Sequence, residues 1–205
     1  MDKRLGYQQS CLIQKIYLRR RTLLVSVTLF LLFVWLMAFP AYGADDGTDI
    51  EQRVKAAFLY KFASYVDWPA IAFPKADTPI TIAVTGSGTI AAELVQLVAG
   101  RKAQGRSITV KRIEPGEPLG GVHILFVGRS ESRRLAQWVQ EAQEHSTLVV
   151  TDMPGALGQG SAINFVLADR RVRFEISLDA AEKSSLKLSS RLLAVAQRVV
   201  HTGAP

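Results

Sequence analysis

Ile80-Thr81-Ile82-Ala83-Val84-Thr85 runs directly into Gly86-Ser87-Gly88-Thr89-Ile90-Ala91, and the reading of this junction decides the fold. The first six residues predict a strand, and residues 89–99, closed by Gly100, predict a helix. The same pattern recurs downstream. Residues 108–113 alternate apolar and polar as a second strand. Residues 123–127 are nearly all apolar, as a strand buried on both faces must be. Ser130 caps a predicted helix reaching Glu144, with Leu135, Trp138, Val139 and Ala142 on one side, and residues 148–151 form a fourth strand. Short strands alternating with helices are the pattern of βαβ units. The expected fold is therefore α/β: a mostly parallel sheet with helices on both faces.

Toward the C-terminus the rhythm changes. Residues 162–167 and 172–177 read as strands with only residues 168–171 between them. So short a connection cannot make a parallel crossover, so an antiparallel C-terminal edge hairpin is expected. Residues 178–184 predict a short helix. Residues 189–201 predict a last one, with Leu192, Leu193, Ala196 and Val200 as its buried face. Toward the N-terminus, residues 49–66 predict an amphipathic helix. Val54, Phe58, Phe62 and Tyr65 recur at spacings of three or four, and Arg53, Lys55 and Lys61 are offset toward solvent. Asp49 is the expected N-cap, and Pro69 ends the helix just after Trp68. An aromatic stripe of this kind reads as core.

Ahead of this domain lies a leader. Lys3, Arg4, Lys15, Arg19, Arg20 and Arg21 stand against one acid, Asp2; residues 23–39 are almost wholly apolar; Ala41-Tyr42-Gly43 supplies small residues after Pro40. Residues 1–43 are expected to be a signal peptide cut after Gly43 or Ala44, followed by a linker (44–48) and one domain (49–205). An uncleaved anchor is the alternative, since about 17 apolar residues is the short end of what spans a bilayer. Either way the basic side stays in the cytoplasm and the domain is exported, which puts it in the periplasm.

The net charge of +7 belongs mostly to that leader: the residues after it hold 19 basic and 17 acidic side chains. Nucleic-acid binding requires a basic stripe on the folded part. Arg170, Arg171 and Arg173 cluster but are flanked by Asp169 and Glu175, so a nucleic-acid partner is excluded. The single cysteine, Cys11, precedes the apolar run, so it is no lipid anchor and leaves the domain without disulfide or thiol chemistry.

Catalytic patterns are sparse. Gly86-Ser87-Gly88-Thr89-Ile90-Ala91 fits G-x-G-x-x-A at a strand-to-helix turn, but the acid expected about 20 residues later is missing, and a tight βα turn explains the glycines equally well. His123, His145 and His201 are scattered, with no H-E-x-x-H and no G-x-S-x-G. Asp152, at the end of a strand, is the best lone acid, and a turn or cap role suits it. Arg129, in the loop Gly128-Arg129-Ser130, shares the carboxyl edge of the sheet with the Gly86 and Asp152 loops and is placed to hold an anion. No enzyme, cofactor or metal site is expected.

Two stretches carry a family resemblance. The first is Val54-Lys55-Ala56-Ala57-Phe58-Leu59-Tyr60-Lys61-Phe62 with Tyr65-Val66-Asp67-Trp68-Pro69. The second is Thr151-Asp152-Met153-Pro154-Gly155, Ile163-Asn164-Phe165, Val172-Arg173-Phe174-Glu175-Ile176 and Leu186-Lys187-Leu188-Ser189-Ser190-Arg191-Leu192-Leu193; Ile124-Leu125-Phe126-Val127-Gly128 adds a central strand. Together they resemble the YfiR-like periplasmic regulators. The resemblance implies a Rossmann-like α/β domain that catalyses nothing. It also implies a protein that restrains an inner-membrane diguanylate cyclase or similar sensor by binding its periplasmic part, and so controls cyclic-di-GMP and biofilm. Some relatives carry cysteine pairs in this domain, and residues 44–205 have none.

A binding role fits the residues. Arg173 and Glu175 face opposite to Phe174 and Ile176 by strand alternation. Charges on an edge strand discourage aggregation; alternatively they pair with Asn164 or Arg191 to form a polar site facing a partner or ligand. Trp68 and Arg129 complete the set of candidate binding residues. A homodimer stays open, as does a small-molecule binding module using the carboxyl-edge loops. N-terminal sequencing of protein from the periplasmic fraction should begin near Ala44; an intact Met1 on a membrane-bound form would show instead that the leader is retained.

Overall fold

A computed structural model describes residues 46–201. The expected leader lies outside the described residues. The expected linker is described only from residue 46, where α1 (Asp46–Phe62) already begins, so Asp49 sits in the first turn of the helix and does not cap it. Among the described residues no helix is long and apolar enough to cross a membrane.

The centre follows the predicted alternation: β2 (Ile80–Thr85), α2 (Gly88–Val98), β4 (Arg106–Arg112), β5 (Ile124–Val127), α3 (Leu135–Glu144) and β6 (Leu148–Thr151), then β7 (Ile163–Ala168) and β8 (Arg171–Ser177). Shorter elements fill the gaps: β1 (Val66–Asp67), β3 (Lys102–Ala103), α4 (Leu178–Lys183), β9 (Lys187–Leu188), α5 (Ser190–Val195) and β10 (Arg198–Val200). The main sheet has the order β10-β8-β7-β6-β5-β2-β4-β3. Pairs from β4 through β7 are parallel, while β7–β8 and β3–β4 are antiparallel. The chain leaves β2 to one side for β4, then returns to its other side for β5. The carboxyl ends of β2 and β5 are therefore the switch point of the sheet.

Three predicted elements are corrected. The first helix stops at Phe62 rather than at the expected Val66, because Val66 and Asp67 pair with Leu188 and Lys187 as a two-stranded antiparallel ribbon. The helix expected over residues 189–201 is only α5; beyond Ala196, which is extended (φ −68°, ψ 143°), the chain forms β10 and pairs parallel to Glu175–Ser177. The antiparallel hairpin is therefore flanked by β10 rather than outermost. Finally, residues 129–134 make a 3-10 turn before α3, and Ser130 Oγ donates to the Gly86 carbonyl (3.1 Å) instead of capping the helix.

Two apolar layers sandwich the sheet. On one face α1 and α2 pack Leu59, Phe62, Ile90 and Leu94 onto Ile82, Phe126, Ile163, Phe165 and Phe174. On the other, α3 packs Leu135, Trp138, Val139 and Ala142 onto Ala83, Leu125, Val127 and Val149. Within the first layer Phe62 lies 5.9 Å from Phe165 and 5.2 Å from Phe174, ring centre to ring centre, and Phe58 bridges the same pair at 6.0 and 5.4 Å. Such offset and edge-on pairs add to the gain from apolar burial.

At the amino edge of the sheet, His123 locks the segment between β1 and β2. Its Nδ1 accepts from Thr81 N–H (3.1 Å), so Nε2 carries the proton and donates to the Ala72 carbonyl (3.2 Å). Phe73 stacks on the imidazole at 4.6 Å, the Trp68 indole meets it edge-on, and Trp68 Nε1 donates to the His123 carbonyl (3.2 Å). Arg106 lies over Phe73 and donates to the carbonyls of Ala76 (2.7 Å) and Thr78 (2.9 Å). Burial holds the His123 imidazole below its ordinary 6.5; the bond to Ala72 opposes this, and the charge of Arg106 reinforces it.

Phe62→Ala should cost about 3–5 kcal/mol, a large part of a total of about 5–15, and urea unfolding measures it directly. His123 generates a second expectation. Its folded pKa is depressed, so its contribution is fully present above the unfolded value of about 6.5 and is lost as pH falls through the lower folded value. The melting temperature should decline on acidification through that window. His123→Gln should flatten the decline while His145→Gln, at an exposed position, leaves it unchanged; equal slopes in all three proteins would show that His123 does not carry it.

Candidate functional site

The carboxyl edge gathers the loops that follow β2, β5 and β6, as expected from the sequence. Here Lys55 departs from its expected solvent-facing position. It is 2% exposed, because its ammonium reaches Asp152 Oδ2 at 2.7 Å and Glu51 Oε1 at 2.6 Å. Arg129 Nε donates to the Asp152 carbonyl (2.7 Å) and lies 3.9 Å from Oδ2, with most of its side chain in solvent. Asp152 Oδ1 is buried and has no partner. Asp152 is thus the hub of an ion cluster between α1 and the sheet, a role beyond the turn or cap expected of it.

The glycines of this edge answer mainly to the chain itself. Gly86 has φ +70°, and a Cβ on Gly128 would fall 2.5 Å from the Gly86 carbonyl oxygen. Ser87 Oγ caps α2 by accepting from Ile90 N–H (3.4 Å), and a Cβ on Gly88 would strike the Arg112 guanidinium. A crevice of about 330 Å³ remains, lined by Gly86, Ser87, Gly88, Arg112, Glu114 and Ser130.

Asn164 belongs to the framework of this edge. Its Oδ1 accepts from Thr151 Oγ1 (2.8 Å) and Met153 N–H (3.1 Å), and the residue is buried. It stands opposite Glu175 in the β7–β8 register. The ionic partner of Glu175, however, is Arg198 on β10, through Nε to Oε1 and Nη2 to Oε2, both at 2.9 Å. The expected pairing of Glu175 with Asn164 or Arg191 is therefore replaced by a two-pronged pair to a strand that the sequence reading made helical. These hydrogen bonds, then the carboxylate charge, raise the Arg198 guanidinium above its ordinary value.

Arg173 is exposed on the same face of β8 as Glu175, while Phe174 and Ile176 are buried on the other, as alternation requires. Arg191 is exposed on α5, whose Leu192 enters the core on the Phe174 side of the sheet. Trp68 lies at the amino edge beside His123. The six candidate residues thus occupy separate places: Arg173 and Glu175 share the outer sheet face, Arg129 and Asn164 line the carboxyl edge, and Trp68 and Arg191 stand apart.

The outer face is polar because α3 covers only the central strands. Beyond them Arg198, paired with Glu175, lines a cleft of about 870 Å³ together with Gln143 of α3, Leu157 and Gly158 after β6, Ser177, Asp179 and His201. Arg198 and His201 were missed because they lie in the segment read as helix. Arg198 followed directly by Val199 and Val200 was the available strand signal.

Residues 52–197 match the model of a family described as YfiR/HmsC-like. A solved structure described as a conserved domain protein from Vibrio cholerae O1 biovar El Tor strain N16961 is similar at 10% sequence identity and a TM-score of 0.47. The match covers 73% of this chain and spans 60% of that one.

Proposed function

The chain belongs to the YfiR/HmsC-like family, and from that premise we propose that it is a periplasmic regulatory protein that catalyses nothing. Delivered by the leader at residues 1–43, it binds the periplasmic part of an inner-membrane diguanylate cyclase or similar sensor and holds it inactive. Its loss or release raises cytoplasmic cyclic-di-GMP and promotes biofilm. Family membership is the observation that carries this reading. The outer sheet face supports it: Arg173, Glu175 and Arg198 are charged, reachable and anchored on strands, so a partner meets a preorganised polar surface.

The second reading is a small-molecule binding module acting as a sensor input. The crevice at the switch point, with Arg112 at its wall and Arg129 nearby, favours it. The two readings are compatible if ligand binding modulates partner binding.

Deleting the gene should raise cyclic-di-GMP and biofilm, and Arg173→Glu should reproduce the deletion while shifting stability by no more than about 0.5 kcal/mol, as exposed substitutions do. The exchanged pair Glu175→Arg with Arg198→Glu separates recognition from architecture. It restores an ion pair, so a purely structural role predicts rescue, whereas recognition of charge predicts a continued loss of control. Unchanged cyclic-di-GMP on deletion would remove the regulator reading and leave the ligand module.

A further inference from the structure

The hairpin of β7 and β8 outruns the sheet that holds it. β6 pairs with β7 only at Ile163 and Asn164, and β10 pairs with β8 only at Glu175, Ile176 and Ser177. Toward the carboxyl edge the two strands continue together, with Val166 opposite Arg173, Leu167 opposite Val172 and Ala168 opposite Arg171. Among the described residues no other strand lies beside these rungs. At about 3.3 Å per residue they make an arm of roughly 10 Å. A two-residue turn, Asp169-Arg170, closes it with positive φ at both positions (51° and 59°), the geometry that follows the strand twist and keeps the arm narrow.

The chemistry of the tip is one-sided. Arg170, Arg171 and Arg173 are exposed, and among the described residues no carboxylate forms an ion pair with them. Glu175, the acid that follows them, is taken by Arg198 through two bonds of 2.9 Å. Asp169 alone stands against three arginines in residues 166–173. Arg170 also occupies a left-handed position where glycine is the unstrained choice, so the charge sits at the very end at a conformational cost. Leu167 is 56% exposed, although alternation puts it on the sheet face where α1 buries Phe165. The cover of α1 therefore stops short of the tip.

We propose that this arm docks on a phospholipid bilayer carrying anionic head groups. Leu167 enters the head-group layer, and Arg170 and Arg171 hold phosphates around it, while Arg173 at the base adds to the attraction. The proposal rests on the export contained in the function proposed above, which brings the domain beside the inner membrane. Guanidinium groups suit phosphate because two N–H donors meet two oxygens at once. A bilayer asks only for shallow apolar entry ringed by basic groups. A stable protein interface buries roughly 800 Å² per partner, far more than a two-stranded tip with one bare leucine offers. Docking of this kind is weak and reversible, and it raises the effective concentration of the protein at the surface where a membrane partner resides.

The test is flotation of protein purified from the periplasmic fraction with vesicles, one set of phosphatidylcholine alone and one of equal parts phosphatidylcholine and phosphatidylglycerol. The parent should float with the anionic set only, and added salt should release it. Each arginine removed should weaken partitioning about fivefold, so Arg170→Gln with Arg171→Gln should lose roughly 25-fold. Leu167→Trp should bind and shift its fluorescence to the blue on adding anionic vesicles. Lys75→Gln with Lys187→Gln removes the same charge from exposed positions at the amino edge and should bind as the parent does. The melting temperatures of all variants show that each is folded. The proposal is overturned if both vesicle sets bind equally, if the arm variant floats as the parent does, or if the amino-edge variant loses as much. It is also overturned if no vesicle binds the parent while the arm variant raises cyclic-di-GMP in cells, because the arm then meets a protein. Flotation is read on the purified protein, so its result stands apart from the deletion phenotype.

Discussion

A lysine ammonium with almost no access to water is the constraint on which the arrangement turns. Lys55 lies between Glu51, one turn before it on α1, and Asp152, 97 residues away at the end of β6. Burying a charge is tolerable only with partners in place, and removing one partner of such a cluster costs about 3–5 kcal/mol. Apolar packing alone lets a helix rotate or slide by a residue at modest cost. A buried ion pair does not, because a misplaced ammonium finds no substitute for Asp152. Lys55 therefore fixes the rotation of α1, and Phe58 and Phe62 arrive over Phe165 and Phe174 as a consequence.

Once α1 is fixed over the C-terminal half of the sheet, the two faces of that half become unequal. The inner face of β7 and β8 is closed by α1, while α3 on the opposite side reaches only the central strands. The outer face of β8 and β10 remains in water and must be polar. Arg173, Glu175 and Arg198 meet that requirement and are also what a partner would encounter. One chain of causes thus runs from a buried charge to an exposed charged surface. The Glu175–Arg198 pair has a structural share in this, since a three-residue strand forms few backbone bonds and the side-chain pair reinforces its register.

The sequence made legible whatever local pattern determines. The β2–α2 junction, the all-apolar β5, β6 and the short β7–β8 connection were readable because periodicity and turn length leave few alternatives. What depends on distant partners was not. Lys55 reads as solvent-facing by helical spacing, and only Asp152, far along the chain, reverses that. Residues 189–201 carry apolar spacing suited to a helix, but the backbone donors of residues 198–200 gain more by pairing with β8. The ribbon of β1 and β9 is too short to leave a pattern. Asn164 was correctly read as a polar residue among apolar ones, yet its place depends on Thr151 and Met153, which no local window contains.

The same dependence explains why the candidate surface lies where the chain is least regular. Parallel strands in the centre are buried on both faces, so their sequence is fully spent on packing. Variation is tolerated only where one face is free, and here that begins at the antiparallel turn from β7 to β8. In the antiparallel pair, β8 gives alternate residues to the core and to solvent, so Phe174 and Ile176 stabilise while Arg173 and Glu175 remain available. A surface built this way can change its charges without disturbing the core beneath it. Under the proposed function, that separation would leave specificity to the exposed positions on β8 and β10 rather than to the fold.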